Sequence, residues 1–319
     1  MTAAAAPVEI SVVVPVFDNA GTLDALIDRL IAQLEPRGQS FELLFVDDAS
    51  RDGSLALLRR RAAADPRIRV LAMRRNCGGQ SAVCAGFDHV RGRRVVALDA
   101  DLENDPADVP KLLDALDQGH DLACGVRIGR GGPLSRRIAS ALFNAFVRRR
   151  FERSVRDIGC GMRAMDARLA RELASAGERR RLLTPLLIDR ARSVVEVPIR
   201  HDPAVRPGGH GFFSLLAIAV DFYLISARRP FLYTGAASFA SLAAGVVALA
   251  AAWPADSAPL ALAGLVLAAA GGVGATVSLA GQFTQRLYEL AQNRPYYELR
   301  DEDEQDALDA GRAAHASGS

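Results

Sequence analysis

The chain has 319 residues, enough for one domain of roughly 200 residues with appendages. Lysine and arginine total 39 against 37 aspartate and glutamate, so a net charge of +2 gives no overall basic field and argues against nucleic acid as a partner. The four cysteines lack zinc-knuckle spacing, and no signal-peptide pattern opens the chain. We therefore expect buried, reduced thiols in a cytosol-facing domain.

The N-terminal two thirds alternate between strand and helix patterns. Residues 1–9 are expected to form a disordered leader. Apolar, β-branched runs predict buried strands at 10–16, 41–46, 68–73 and 94–98. Apolar residues at helical spacing predict helices at 22–34, 54–64 and 81–90. This alternation predicts an α/β domain with a mainly parallel sheet, whose ligands bind at the carboxyl ends of the strands.

After residue 230 the sequence is typical of a membrane hairpin. Residues 231–253 and 257–283 carry no charged side chain, which predicts two spans, at about 231–253 and 258–281. Arginines flank the hairpin 231–283 but not its connecting loop, so the positive-inside rule places both termini in the cytoplasm. Residues 212–227 are apolar but short and predict an interfacial helix. Residues 284–319 are expected to form a cytoplasmic tail with a disordered end.

Acidic residues follow the first, second and fourth predicted strands. They are Asp18, the pair Asp47-Asp48, and the run Asp99-Ala100-Asp101-Leu102-Glu103. A divalent cation or the donors of a ligand would relieve their mutual repulsion. A lone Asp-x-Asp is a weak signal, since helix caps and turns use the same residues. Its position after an apolar strand is what favours a metal site.

The ordered series of motifs resembles the family 2 glycosyltransferases of the GT-A fold. Within that family it is similar to dolichyl-phosphate mannose synthases and bacterial polyprenyl-phosphate glycosyltransferases. The resemblance covers about residues 10–300, with a catalytic domain at 10–211. The matching stretches are SVVVPVFDN (11–19), ELLFVDDASRDGS (42–54), RRNCGGQSAVCAGFDHVRG (74–92), ALDADLENDP (97–106), GVRIGR (125–130), VRDIGCGMRAMDARL (155–169), VVEVPIRH (194–201) and GQFTQRLYELAQNRPYYELR (281–300).

The resemblance implies a donor site and a metal site. Residues expected to bind the nucleotide sugar are Pro15, Phe17, Asn19, Val46, Asp48, Asp99 and Ala100. Asp101 and Glu103 are expected to bind Mg²⁺ or Mn²⁺. Glu103 stands where the family usually has Gln, and Asn19 where Glu is common, so both positions differ from the pattern.

The resemblance also assigns a phosphate-binding set. The planar fork of arginine suits phosphate oxygens, and Arg127 and Arg163 are expected in the catalytic site. The acceptor phosphate is assigned to Arg127, Arg136, Arg181, Arg206 and His210. The segment 201–213 departs from the family because its usual Ser-Lys is absent. His210 either replaces that Lys or is an exposed loop histidine. The basic runs, 148–150 above all, can instead form a solvated face or lie on anionic lipid.

Asp157 is a catalytic candidate with two roles open. It can act as a general base, as a carboxylate does in many sugar transferases, or it can orient neighbouring groups. An acceptor phosphate is already largely anionic at neutral pH, its second pKa being about 6, so a strong base is unnecessary.

The resemblance implies inverting transfer of a sugar from a nucleotide sugar to an undecaprenyl-type polyprenyl phosphate, at the inner membrane, in a chain that contacts membrane lipid. It also implies a homo-oligomer, often a tetramer. Two alternatives stay open at this point: a family 2 transferase that glycosylates a lipid hydroxyl, and a non-catalytic membrane scaffold that keeps the fold. Processive polysaccharide synthases are disfavoured because they carry a Gln-x-x-Arg-Trp motif, whereas the single tryptophan of this chain, Trp253, lies in the hairpin.

Overall fold

The computed structural model describes residues 7–128, 155–157, 159–174, 183–202 and 297–300, with single positions between 262 and 287. The chain divides into two compact units, Met1–Phe212 with Pro295–Ser319, and Phe213–Arg294. Several predictions lie outside the described residues. These are the roles of Arg136, Arg181, Arg206 and His210, the interfacial helix 212–227 and the first span 231–253.

The first unit is built on a seven-stranded sheet in the order β3-β2-β1-β4-β6-β5-β7. Its strands are β1 (Ile10–Val16), β2 (Phe41–Asp47), β3 (Ile68–Ala72), β4 (Arg94–Ala97), β5 (Leu122–Arg127), β6 (Arg163–Asp166) and β7 (Val194–Ile199). Strand β6 runs antiparallel to both of its neighbours, β4 and β5, and the remaining pairs are parallel. The predicted mainly parallel sheet is confirmed.

Helices cover the sheet, as the alternating pattern predicted. They are α1 (Ala20–Leu34), α2 (Ser54–Ala64), α3 (Gly79–Asp88), α4 (Val109–Asp117), α5 (Ala167–Ala174) and α6 (Leu183–Arg190), with short 3-10 turns at Glu35–Arg37 and Pro106–Asp108. Helix α1 buries one apolar stripe, formed by Leu23, Leu26, Ile27, Leu30 and Leu34. Strands β1 and β2 are buried almost throughout, as expected for parallel strands covered on both faces.

Close packing of α3 on the sheet depends on Gly86. A β-carbon at Gly86 would stand 2.3 Å from Cγ1 of Val13 and 3.3 Å from Cγ2 of Val46. The helix therefore approaches the sheet more closely than any residue with a side chain would permit. This contact brings the N-terminus of α3 to the carboxyl end of β2.

The strand order places the predicted acidic residues on one edge. Strands β2, β1 and β4 are parallel neighbours, so their carboxyl ends meet at the same edge of the sheet. Arg127, expected just after a strand, is the last residue of β5. Arg163 opens the antiparallel strand β6, which lies between β4 and β5.

In the second unit the described positions from 262 to 287 are all helical. Five large apolar side chains among them are more than half exposed and recur at helical spacing: Leu262, Val266, Val273, Val277 and Leu287. Among these described positions, no helix has the length and apolarity needed to cross a membrane.

Candidate active site

Left-handed backbone marks all three strand ends that carry acidic residues. Asp18 follows β1 with φ 53°, Ala49 follows β2 with φ 59°, and Leu102 follows β4 with φ 60°. In the described part of the chain these are the non-glycine residues with positive φ. Such strain costs roughly 1–3 kcal/mol per residue and is concentrated at functional sites. At each position it turns the chain sharply at the edge where carboxylates collect.

The loops after β1 and β2 are tied together through Asp18. Its Oδ1 accepts a hydrogen bond from the Arg51 amide at 2.7 Å, and its own amide donates to Oγ of Ser50 at 3.1 Å. The Asn19 amide donates to Oγ of Ser54 at 3.0 Å, while Oδ1 of Asn19 accepts from the Phe17 amide at 3.2 Å. Asn19, predicted to contact the donor, thus uses its side-chain oxygen to hold its own turn.

Asp48 anchors the loop that precedes α3. Its side chain is buried, and its two carboxylate oxygens accept hydrogen bonds from the amides of Cys77 at 2.7 Å and Gly78 at 2.8 Å. Burial raises the pKa of Asp48, although these two backbone hydrogen bonds oppose the rise. Gly78 has φ 91°, a conformation that glycine adopts without strain. Asp48 therefore fixes the position of this loop.

Asp99, Asp101 and Glu103 form a second acidic cluster after β4. Oδ1 of Asp101 accepts a hydrogen bond from the Glu103 amide at 3.0 Å. Oγ1 of Thr22, on the first turn of α1, donates to the carbonyl of Ala100 at 2.7 Å. The pKa of Asp99 is raised to about 6, first by burial and then by the charges of Asp101 and Glu103, while Arg163 and Arg127 oppose the rise. A carboxyl held in this way is poised to interact with a cation.

Gly161 packs directly on the Asp99 carboxylate. A β-carbon at Gly161 would lie 2.0 Å from Oδ2 of Asp99 and 2.6 Å from its Cγ. No side chain fits in that gap. The loop that carries Asp157 is thereby pressed against the acidic cluster of β4.

Arg127 and Asp157 form a buried ion pair beside this cluster. Nε of Arg127 donates to Oδ2 of Asp157 and Nη2 donates to Oδ1, both at 2.8 Å, and the Arg127 amide donates to Oδ2 at 3.3 Å. The two side chains are 10% and 9% exposed. Burial lowers the pKa of Arg127, but its hydrogen bond and ion pair with Asp157 more than compensate, so the net change is upward.

Arg163 is turned into the protein. Its Nη2 donates to the carbonyl of Cys160 at 3.0 Å and its Nε to the carbonyl of Gly161 at 3.3 Å. Its Nη1 donates to the hydroxyl of Thr184 on α6. The side chain is buried, so its hydrogen bonds hold the loop 160–161 while its charge acts on Asp99.

Residues 11–174 match the family described as glycosyl transferase family 2. The chain belongs to glycosyltransferase family 2. It is 37% identical over 211 residues to the undecaprenyl-phosphate 4-deoxy-4-formamido-L-arabinose transferase of Edwardsiella ictaluri (strain 93-146). It is 35% identical over 212 residues to the enzyme of the same name from Yersinia pestis (strain Pestoides F). Each match covers 66% of this chain and 64% of the relative.

A solved structure supports the fold. The mannosyl-3-phosphoglycerate synthase of Rubrobacter xylanophilus superimposes with a TM-score of 0.51 at 19% identity, covering 70% of this chain and 74% of that one. With the family match, this similarity establishes a GT-A α/β fold with a mixed, mostly parallel sheet.

Not every residue assigned to this family 2 glycosyltransferase's donor site lies on an open surface. Pro15, Phe17 and Asn19 are half-buried at the end of β1. Val46 is fully buried against α3, and Ala100 belongs to the hydrophobic core, so these two side chains lie beneath the open edge of the site, and their assignment to the donor stays a prediction.

Sequence reasoning missed several residues that position the site. Gly161, Thr22, Thr184 and the amides of Cys77 and Gly78 all hold acidic or basic site residues. Gly161 stood in a quoted motif beside Arg163, and the close approach of a glycine was the available signal. The other contacts join residues distant in sequence and leave no local pattern.

The side chains of the acidic cluster in this family 2 glycosyltransferase are chemically suited to bind a divalent cation. They supply only part of the ligands that such a cation needs. Asp101 and Glu103 offer the hard oxygen ligands that Mg²⁺ and Mn²⁺ prefer, and their charges add to the effect of burial in raising the pKa of Asp99. Among the described residues, no three His, Cys, Asp or Glu side chains are grouped as a ready metal site. Asp48 belongs to a separate cluster, since its oxygens face Cys77 and Gly78.

Proposed function

We propose that this family 2 glycosyltransferase moves a sugar from a nucleotide-sugar donor to a polyprenyl phosphate of the undecaprenyl type. The products are a polyprenyl-phosphate sugar and a nucleoside diphosphate. The names of the two similar transferases support this acceptor, although they match this chain over only 64% of their length.

The observation that carries the proposal is the buried Arg127–Asp157 pair beside the Asp99–Asp101–Glu103 cluster. Nε and one N–H of Nη2 bind Asp157, and among the described residues the other three of the five guanidinium N–H donors are left for other acceptors. An oriented cation next to a carboxylate cluster suits a reaction in which two phosphate groups meet. A scaffold that only binds a partner has no need for a buried, oriented arginine at this edge.

The reaction is an in-line displacement with inversion. An oxygen of the acceptor phosphate attacks the anomeric carbon, and a new carbon–oxygen bond forms. The bond from that carbon to the donor diphosphate breaks, and its electron pair leaves with the nucleoside diphosphate. No proton transfer is needed when the acceptor is already anionic, as a phosphate with a second pKa of about 6 is.

In this proposal Asp157 is a positioning residue. Its two oxygens each accept a hydrogen bond from Arg127, and its side chain is only 9% exposed, a poor setting for taking a proton from a substrate. It orients Arg127 toward the phosphates instead. Arg163 acts indirectly in this proposal, because it holds the loop at Gly161 against Asp99.

Asp101 and Glu103 are the residues that would hold Mg²⁺ or Mn²⁺, which when bound supplies positive charge for the departing diphosphate. Asp99 faces the nucleotide in this assignment, and its ionisation is favoured as positive charge approaches.

The same proposal includes a membrane anchor. The charge-free stretches 231–253 and 257–283 support a hairpin, and the exposed apolar stripe from Leu262 to Leu287 suits contact with lipid. Both termini and the catalytic domain then lie in the cytoplasm at the inner membrane. An anchored catalytic domain meets a lipid-borne acceptor at high effective concentration.

The test is an assay of membranes that contain the full chain, with a panel of nucleotide sugars and undecaprenyl phosphate. We expect one donor to give a lipid-phosphate sugar and a stoichiometric nucleoside diphosphate. Glycosylation of an added glycerolipid or ceramide instead of the phosphate would indicate the hydroxyl-acceptor alternative. Folded protein that gives no product and binds no nucleoside diphosphate would indicate the scaffold.

A further inference from the structure

The chain returns to the catalytic unit at residues 297–300, which follow the predicted hairpin in sequence. Leu299 forms an antiparallel bridge with Met73, directly after β3. The Arg300 amide donates to the carbonyl of Ala72, and the Arg74 amide donates to the carbonyl of Glu298, both at 2.8 Å. Nε of Arg74 donates to the carbonyl of Leu299 at 3.0 Å. Four residues far along the chain thus extend the edge of the sheet.

Side chains reinforce this attachment. Leu299 is buried at 6% exposure. The hydroxyl of Tyr297 donates to Oδ2 of Asp88 at the end of α3, at 3.0 Å. Arg75 and Glu298 lie 3.6 Å apart as an ion pair. Leu299 and Arg300 lie within the tail 284–319, whose end is expected to be disordered, and both pair with the sheet.

The segment that receives these contacts leads straight to Asp48. Met73, Arg74 and Arg75 precede Cys77 and Gly78, whose amides bind the Asp48 carboxylate. Glu298 acts electrostatically on Cys77. The charge of Arg300 lowers the pKa of the fully buried Asp47, the residue before Asp48, against the larger effect of burial. Oδ1 of Asp47 has no hydrogen-bond partner among the described residues. Residues 297–300 therefore contact the start of the loop whose far end, at Cys77 and Gly78, is bound by Asp48.

We propose that residues 297–300 are a brace that sets the position of the 73–78 loop and of Asp48, and so tunes binding of the donor nucleotide. The proposal rests on the proposed function, because it takes Asp48 as a nucleotide-binding residue. It makes Leu299 and Arg300 positioning residues. It also joins the chain beyond the predicted hairpin to the donor side of the site.

Arg300→Pro and Arg300→Ala form a matched pair for testing the brace in the full chain. Proline removes the amide that donates to Ala72 and keeps an extended backbone, whereas alanine keeps the amide and removes only the side chain. Leu299→Ala is a second variant that weakens docking without touching the backbone. Equal midpoints of thermal unfolding for the variants and the native chain would show that the domain stays folded.

The readout is alkylation of Cys77 by a maleimide, mapped by mass spectrometry. Cys77 is half-buried, whereas the other three cysteines are buried and serve as internal references. We expect Arg300→Pro to accelerate alkylation of Cys77 by about tenfold, the effect of losing one backbone hydrogen bond on local opening. Arg300→Ala should change it less, and Leu299→Ala should resemble the proline variant.

The second readout is nucleoside diphosphate affinity, compared with kcat at saturating donor. We expect Arg300→Pro to weaken affinity by about tenfold while kcat stays within about twofold. Unchanged alkylation, or faster alkylation with unchanged affinity, would overturn the brace. If the native chain itself binds no nucleoside diphosphate, the proposed function fails, and the alkylation ratio alone decides whether residues 297–300 fix the loop.

Discussion

The guanidinium of Arg127 and the carboxylate of Asp157 face each other through two hydrogen bonds of 2.8 Å, at the end of β5 and in the loop before β6. A third bond, from the Arg127 amide, completes the attachment. Because β5 and β6 are adjacent in the sheet, this pair fastens the segment that carries Asp157 to the end of β5. The chemistry of the site depends on whether Asp157 serves Arg127 or the substrate.

Asp157→Asn separates these two roles. If Asp157 orients Arg127, the amide keeps part of the contact, and kcat should fall by about 10–100-fold with the shape of the pH–rate profile unchanged. If Asp157 is the base, the fall in rate on the acidic side of that profile, where the base becomes protonated, should disappear. Steady-state rates measured across roughly pH 5–9 would decide between the two roles, because groups that titrate near neutrality change their charge within this range.

Asp157→Ala should also destabilise the fold, by on the order of 3 kcal/mol, because it leaves a buried arginine without its partner. Unfolding in denaturant measures this loss. Arg168→Ala is the control: it removes two surface ion pairs, with Asp121 and Glu172, from a side chain that is 42% exposed, and should cost no more than about 1 kcal/mol.

Gly161→Ala should displace the Asp99 carboxylate. The new β-carbon would overlap Oδ2 of Asp99 at 2.0 Å, so the loop or the carboxylate must move, at a cost of roughly 1–3 kcal/mol. Gly159→Ala is the matched control in the same loop, since its β-carbon would meet nothing closer than 3.4 Å. We expect nucleoside diphosphate binding to weaken in the first variant and to persist in the second. Equal affinities would mean that Asp99 can move without consequence.

Asp101→Ala should abolish metal-dependent binding of nucleoside diphosphate. Removing a residue that merely hydrogen-bonds to a metal ligand lowers metal affinity by about 10–100-fold. Asp101 is proposed as a ligand itself, so its loss should have a larger effect. Glu103→Gln restores the residue type common in the family and keeps an oxygen ligand, so its affinity should stay within a few-fold of the native value. Titration calorimetry with and without Mn²⁺ measures both. An Asp101→Ala protein that still responds fully to Mn²⁺ would refute the assignment.

Ala49→Gly should stabilise the fold. Ala49 has φ 59°, a conformation that costs an alanine roughly 1 kcal/mol more than a glycine. Gly38→Ala is the mirror experiment, because Gly38 has φ 65° and nothing lies within 4 Å of its β-carbon position. Thermal unfolding midpoints should rise in the first variant and fall in the second. A fall in both would show that the Ala49 turn is held by contacts rather than strained.

Asp47→Asn tests the buried carboxylate next to Asp48. Burial raises the pKa of Asp47 above 3.8, so folding favours its protonated form. That contribution to stability is complete below pH 3.8 and is lost as pH rises through the folded pKa. The asparagine variant should therefore gain stability over the native chain at pH 8 and not at pH 3.

Asp65→Asn is the control of opposite sign. The hydrogen bond from Arg67 lowers the pKa of Asp65, so its contribution is present above pH 3.8 and is lost as pH falls through the folded pKa. This variant should lose stability at pH 8. Urea unfolding at both pH values measures the two differences, and a gain at pH 8 in both variants would contradict the assigned signs.

Local pattern was enough to predict the class of fold and the acidic edge of the sheet. Apolar runs of strand length alternating with helical spacing gave strands β1 to β4 and helices α1 to α3 nearly to the residue, because burial imposes a period on each element. The placement of Asp48, Asp99 and Asp101 after strands followed from the same pattern. What those side chains contact could not be predicted in this way.

The sequence by itself determined the family, the order of strands and helices and the identity of the charged groups, since these depend on composition and on contacts close along the chain. Three contacts could be seen only in the folded chain: Asp157 binds Arg127, Gly161 packs against Asp99, and Leu299 pairs with Met73, more than two hundred residues earlier. Each of these contacts joins elements whose spacing in sequence carries no periodic signal. Only the packed sheet brings them within hydrogen-bonding or van der Waals distance.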